Sequence, residues 1–228
     1  MGTIYRAFDR VHERYVAYKR LSIEDESLRL RMTALFQSEY NTLAQLLHPR
    51  IVEAYEYGVD PHGPYYTMEL LSGSDLAVSA PLPIECACLA VRDIASALGL
   101  LHARRLIHRD VTPVNIRMTA DGHAKLLDFG ALAEFGTQTQ VVGTPAFIAP
   151  ECLSAASLDQ RTDLYSLGAV LYFALTGEPA IRARSLEELR SAWAKEVVPP
   201  SQLRPDVPVA LDELVISLLQ HDPLARPQ

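Results

Sequence analysis

Asp110 and Asn115 lie five positions apart in the stretch IHRDVTPVN, residues 107–115. Pro113 between them keeps the stretch from continuing as a regular helix or strand, so it forms a loop that holds two polar groups. A second carboxylate, Asp128, closes the apolar run of LLDFG, residues 126–130, and Gly130 lets the backbone turn away behind it. Such oxygen donors suit a magnesium and phosphate site. A hard cation prefers carboxylate and carbonyl oxygen, and Mg2+ is usually held by one or two carboxylates together with substrate phosphates. Each piece alone is ordinary, because most His-Arg-Asp triplets are surface loops and most Asp-Phe-Gly triplets are plain turns. Their conjunction in this order is what carries meaning.

The flanking sequence supplies elements that can position these groups. Tyr15 to Leu21 (YVAYKRL) alternates, so Ala17 and Lys19 share one strand face while Val16 and Tyr18 point the other way. From Ile23 to Leu47 the pattern is helical, with Leu28, Met32, Leu35, Phe36, Leu43 and Leu46 on one stripe and Glu39 beside it. Pro49 stops that helix. Ile51 to Tyr57 and Tyr65 to Leu71 then read as strands joined by a Gly/Pro-rich turn at Asp60 to Pro64. Pro81 and Pro83 introduce a long helix, Ile84 to Arg105, which delivers the loop of Asp110. IRMTADGHAKLLDFG reads as a hairpin with Asp121 and Gly122 at its tip, bringing Asp110 and Asp128 onto neighbouring turns. Ala131 to Ala149 has neither period and suits a mobile segment. Asp159 to Thr176 is a strongly apolar helix with Asp163 as its one buried charge. Amphipathic helices are expected at Ser185 to Val197 and Val209 to Gln220, joined by a stiff linker from Pro199.

HRDVTPVN followed by DFG, together with VAYK before and FIAPE after, resembles the catalytic core of the protein kinase family, and specifically a bacterial-type serine/threonine kinase domain. The resemblance covers residues 1–228 and implies an α+β, two-lobed protein-kinase-like fold cut short at both ends. Residues 1–71 would form a small antiparallel sheet lobe with one helix, lacking its first strand and most of the glycine-rich loop. Residues 72–228 would form a larger, mainly helical lobe with an incomplete last helix.

That resemblance implies ATP and Mg2+ as cofactors. Gly2 and Ile4 would belong to the phosphate-covering turn and its strand, Ala17 would lie against the adenine, and Lys19, steadied by Glu39, would grip the α- and β-phosphates. Met68 would guard the back of the adenine pocket, Glu69 to Leu71 would be the hinge that bonds the base, and Asp75 would meet the ribose. Asp110 would accept the proton of a substrate hydroxyl, while Asn115 and Asp128 would be metal ligands. Asp163 would tie down the backbone of the His-Arg-Asp loop, Arg226 would pair with Glu151, and His108 would be packed rather than catalytic. GTPAFIAPE is similar to the serine/threonine form, so the expected partners are protein substrates bearing Ser or Thr. Arg109 before Asp110 implies activation by phosphate at Thr137 or Thr139, with Thr144 supporting the substrate loop. Two positions depart from the pattern. Thr112 stands where many members carry lysine, and Arg117 stands where the floor of the adenine pocket is usually apolar.

Composition narrows the alternatives. With 228 residues, 49% of them hydrophobic, the chain can bury a core. A net charge of −7 without a basic run excludes nucleic acid as the expected partner. Three cysteines without metal spacing, Cys86, Cys88 and Cys152, fit a reduced, cytoplasmic setting. The longest apolar passage, near Leu164 to Leu175, is too short to span a bilayer, so no membrane segment is expected within this chain. Two rivals remain: a catalytically weak or silent kinase-like scaffold with an incomplete glycine loop, and a small-molecule phosphotransferase. The Ala-Pro-Glu motif, Asp163 and Arg226 favour a protein substrate over the latter.

Overall fold

The computed structural model describes residues 2–22, 26–137, 141–154 and 157–227. The chain divides into two units, Met1–Ser72 and Gly73–Gln228.

In the first unit, strands β1 (Gly2–Asp9) and β2 (Arg14–Leu21) are followed by helix α1 (Arg29–Leu43) and strands β3 (Ala54–Asp60) and β4 (Gly63–Glu69). The strands form an antiparallel sheet in the order β1-β2-β4-β3. Alternation in β2 works as its sequence implies: Ala17, Lys19 and Leu21 are all buried on one face. The β3–β4 turn is shorter than expected, because the Asp60 carboxylate accepts the His62 N–H at 2.7 Å and Gly63 takes φ +121°.

Helix α1 buries a narrower face than the apolar stripe suggests. Phe36 and Leu43 are buried, whereas Leu28 and Leu35 are 44% and 51% exposed. At about 100° per residue, positions 28 and 35 lie roughly 80–100° from the Phe36–Leu43 axis. That axis meets an aromatic cluster in which Phe36 and Tyr40 pack against Tyr57 and Tyr66. The helix also stops at Leu43 rather than Leu47. Gln45 and Leu46 bond back three residues, to Thr42 and Leu43, which tightens and ends the last turn.

The second unit starts with β5 (Ser74–Asp75), a single helical turn α2 (Leu76–Ser79) and the long helix α3 (Ile84–Ala103). Ala87, Ala90, Ile94, Ala97, Leu98 and Leu101, three or four residues apart, form the buried face of α3. Strand β6 (Leu106–Ile107) leads into the loop of Asp110, and β7 (Ile116–Met118) and β8 (Ala124–Leu126) form the expected hairpin. Residues 131–149 are more structured than their composition suggests. Strand β9 (Ala133–Glu134) pairs with β6, and β10 (Gly136–Thr137) pairs with β11 (Ser157–Leu158). Two-residue bridges are too short to show a period in sequence.

Helix α4 (Gln160–Thr176) runs through the core, capped by the Asp159 carboxylate at its start and by left-handed Gly177 at its end. Three shorter helices follow: α5 (Leu186–Trp193), α6 (Pro200–Leu203) and α7 (Val209–Leu218). Gly168 lets α7 approach α4, since a Cβ there would sit 2.5 Å from Leu218 Cβ. The stiff linker expected from Pro199 instead contains helix α6. Ser201 N–H bonds Asp212 of α7 at 2.9 Å, and the Arg204 guanidinium bonds the carbonyls of Leu82 and Leu175. Those long-range bonds are what the sequence could not show. Among the described residues no helix is long and apolar enough to cross a membrane.

Candidate active site

In the first unit β2 and α1 place Lys19 and Glu39 in contact. The Lys19 ammonium donates to Glu39 Oε1 at 2.7 Å, and both side chains are more than nine-tenths buried. Ala17 and Met68 are direct cross-strand partners, so the small residue and its larger neighbour share one stretch of sheet. Gly2 pairs with Leu21 and Ile4 with Lys19; a Cβ at Gly2 would come within 3.0 Å of the Arg20 carbonyl oxygen. Ile4 is exposed. At the end of β4, the Glu69 N–H is engaged by the Glu53 carbonyl at 2.8 Å, and Leu71 is half-buried.

In the second unit the loop between β6 and β7 carries Asp110 and Asn115. Asn115 Nδ2 donates to the Asp110 carbonyl at 3.0 Å and to its Oδ2 at 2.8 Å. With its amide nitrogen turned to Asp110, the Asn115 Oδ1 is left as an acceptor. Thr144 Oγ1 donates to the other carboxylate oxygen of Asp110 at 3.1 Å. The Leu127 N–H bonds the Asn115 carbonyl at 2.8 Å, so Asp128 follows immediately after the point where β8 is tied to this loop. Asp128 takes φ +54°, and its Oδ1 accepts the Gly130 N–H at 3.2 Å. Carboxylate and carboxamide oxygens on adjoining turns fit Mg2+, which needs few protein ligands when phosphates supply the rest.

Asp163 at the start of α4 fixes the backbone of this loop. Fully buried, its carboxylate accepts the N–H of His108 and of Arg109, each at 2.9 Å, and lies 2.9 Å from His102 Nε2. Arg109 is held at φ +65°, a left-handed conformation costing roughly 1–2 kcal/mol for a non-glycine residue. Its Nε donates to the Ala131 carbonyl at 2.6 Å. His108 is fully buried with its ring edge-on to Phe129, centroids 5.0 Å apart. Burial pushes its pKa below the usual imidazole value. A neutral ring with the proton on Nε2 satisfies both neighbours: Nδ1 accepts the Asp110 N–H, and Nε2 faces the Leu127 carbonyl.

Some arrangements were not evident from sequence. Asp75 is bound to Arg117 across the β5–β7 pair, Oδ1 to Nη1 at 3.0 Å. The departure at Arg117 and the acid expected at the ribose are therefore one feature, joined by a strand register that no motif encodes. Thr112 is buried, and its hydroxyl has no hydrogen-bond partner among the described residues. An enclosed hydroxyl does not replace a lysine. The Asp110–Thr144 bond also escaped notice, although a threonine after glycine in GTPAF was the available signal. Thr139 lies outside the described residues, and for Thr137 only the backbone is described, in β10.

The protein kinase domain family matches this chain over residues 1–228, and the chain belongs to that family. Serine/threonine-protein kinase PknE of Mycobacterium bovis is 36% identical over 238 residues, covering 99% of this chain and 41% of that protein. PknD of Mycobacterium tuberculosis is 38% identical over 241 residues, covering 99% of this chain and 36% of that protein. PknB of Mycobacterium leprae is 36% identical over 246 residues, covering all of this chain and 39% of that protein. The chain thus spans about two-fifths of the length of these relatives.

Proposed function

We propose that this chain is a serine/threonine protein kinase domain that transfers the γ-phosphoryl group of ATP to Ser or Thr hydroxyls of protein substrates in the cytoplasm. The observation that carries the reading is the fixed Asp110 carboxylate, with Asn115 on one oxygen and Thr144 on the other. Phosphoryl transfer asks the protein mainly for alignment and charge neutralisation. Asp110 orients the substrate hydroxyl and accepts its proton. Lys19, aimed by Glu39, takes the α- and β-phosphates, and Ala17, Met68 and the stretch Glu69 to Leu71 receive the adenine. Asn115 Oδ1 and the Asp128 carboxylate hold Mg2+, which neutralises charge on the phosphates when bound. Residues 1–71 act as the small lobe and residues 72–228 as the large lobe.

Phosphate added between Ala131 and Thr144, at Thr137 or Thr139, activates the domain through Arg109. A scaffold reading draws support from one observation, the engagement of Asp75 by Arg117. The two are separated by γ-labelled ATP and a generic protein substrate, comparing this chain with a form extended at its N-terminus. Phosphoserine or phosphothreonine formed by the extended form supports the kinase; no transfer by either form leaves the scaffold.

A further inference from the structure

Glu39 Oε1 accepts two hydrogen bonds. One comes from Lys19 Nζ at 2.7 Å and the other from the Tyr66 hydroxyl at 2.9 Å. Tyr66 on β4 is the direct cross-strand partner of Lys19 on β2, and the Lys19 nitrogen lies 5.6 Å from the centroid of its ring. The ring is 1% exposed and is wedged among Phe36 and Tyr40 of α1, at centroid distances of 5.0 and 5.8 Å. A phenol so placed has few rotamers open to it, so its hydroxyl is aimed before any ligand arrives.

We propose that Tyr66 is a positioning residue for the phosphate-gripping lysine. Its hydroxyl latches Glu39, and with it helix α1, to strand β4, so that the carboxylate is held where Lys19 needs it. The proposal rests on the kinase reading for its consequence but on the geometry of the first unit alone for the latch. An ion pair between two long side chains otherwise has to be fixed at the expense of rotamer freedom. A donor from a rigid aromatic ring removes that freedom from one partner, and a hydrogen bond to a charged acceptor is stronger than a neutral one. No other residue type in the cluster could do this, because Phe36 carries no hydroxyl and Tyr40 directs its own to the Tyr55 carbonyl at 3.2 Å.

The test is Tyr66→Phe in the full-length chain, which keeps the ring and deletes only the oxygen. In a labelled-ATP assay kcat/KM for ATP is expected to fall about 5- to 30-fold. In a Glu39→Gln background the same substitution should change it less than about twofold, since the hydroxyl acts through that carboxylate. A fall caused only by loosened packing would instead be additive with Glu39→Gln. Active wild type with Tyr66→Phe unchanged, or with additive effects, overturns the proposal.

Hydrogen exchange supplies a readout that needs no turnover. The α1 amides around Glu39 should exchange faster in Tyr66→Phe than in wild type, while those pairing β1 with β2 should not. If wild type transfers no phosphate, the kinase reading falls by itself. Unchanged α1 exchange would then overturn the latch, and faster exchange confined to α1 would uphold it.

Discussion

Replacing Arg226 by alanine should destabilise the second unit far more than a surface substitution. The Arg226 side chain is fully buried and meets Glu151 in a fork, Nη1 to Oε1 at 2.6 Å and Nη2 to Oε2 at 2.8 Å. The same guanidinium donates to the carbonyls of Gln220, Arg161 and His221, and it lies 4.9 Å from the Tyr165 ring centroid. Deleting it leaves a buried carboxylate facing the Thr162 hydroxyl, together with three carbonyls that lose a donor. Breaking such a pair costs roughly 3–5 kcal/mol, since one uncompensated charge remains inside. At about 2–4 °C per kcal/mol for a domain of this size, thermal unfolding should move down by roughly 6–20 °C. Urea and thermal unfolding of wild type, Arg226→Ala and Arg226→Lys measure this. Lysine should fall between the two, because it keeps the charge but cannot form the fork. A loss under about 1 kcal/mol for alanine would place the pair with exposed ion pairs and refute the reasoning.

Arg117→Leu should lower the KM for ATP by roughly 3- to 10-fold, by freeing Asp75 and adding about 1 kcal/mol of apolar contact. An unchanged or higher KM would show that Arg117 does not hinder the nucleotide. Stability should decline on acidification through the ordinary histidine range. Burial lowers the pKa of His108 in the folded chain, so below about pH 6.5 the unfolded state binds a proton that the folded state does not. The contribution is complete above that pH and is lost as pH falls, by up to about 1.4 kcal/mol per unit until the folded-state pKa is reached. Exposed His12 exerts no comparable effect, so replacing His108 should flatten the urea-midpoint profile between pH 5 and 7, and replacing His12 should not. Mass spectrometry of active protein should find phosphate between Ala131 and Thr144; full turnover without it would remove the proposed activation.

The motifs of the second unit were legible because they are local. Asp110, Asn115 and Asp128 lie within nineteen residues, and the Asp121-Gly122 turn between them announces the hairpin that joins them. Lys19 and Glu39 were legible from strand alternation plus the order of motifs. What escaped is set by register and by side-chain direction: the Asp75–Arg117 pair, the Tyr66 bond to Glu39, and the burial of Thr112. The stripe on α1 misled because apolar spacing cannot say which part of a face meets aromatic rings and which meets water. Helix α6 was read as linker because proline suppresses the helical pattern, although proline is welcome in the first turn.

The central claim is that Asp110 handles the proton of a protein hydroxyl. Its most direct test is Asp110→Asn in the N-terminally extended chain, compared with wild type by single-turnover transfer from labelled Mg-ATP. The expected result is a fall of about 100-fold or more in the transfer rate, with ATP affinity within about threefold of wild type. Equal transfer rates would contradict the account.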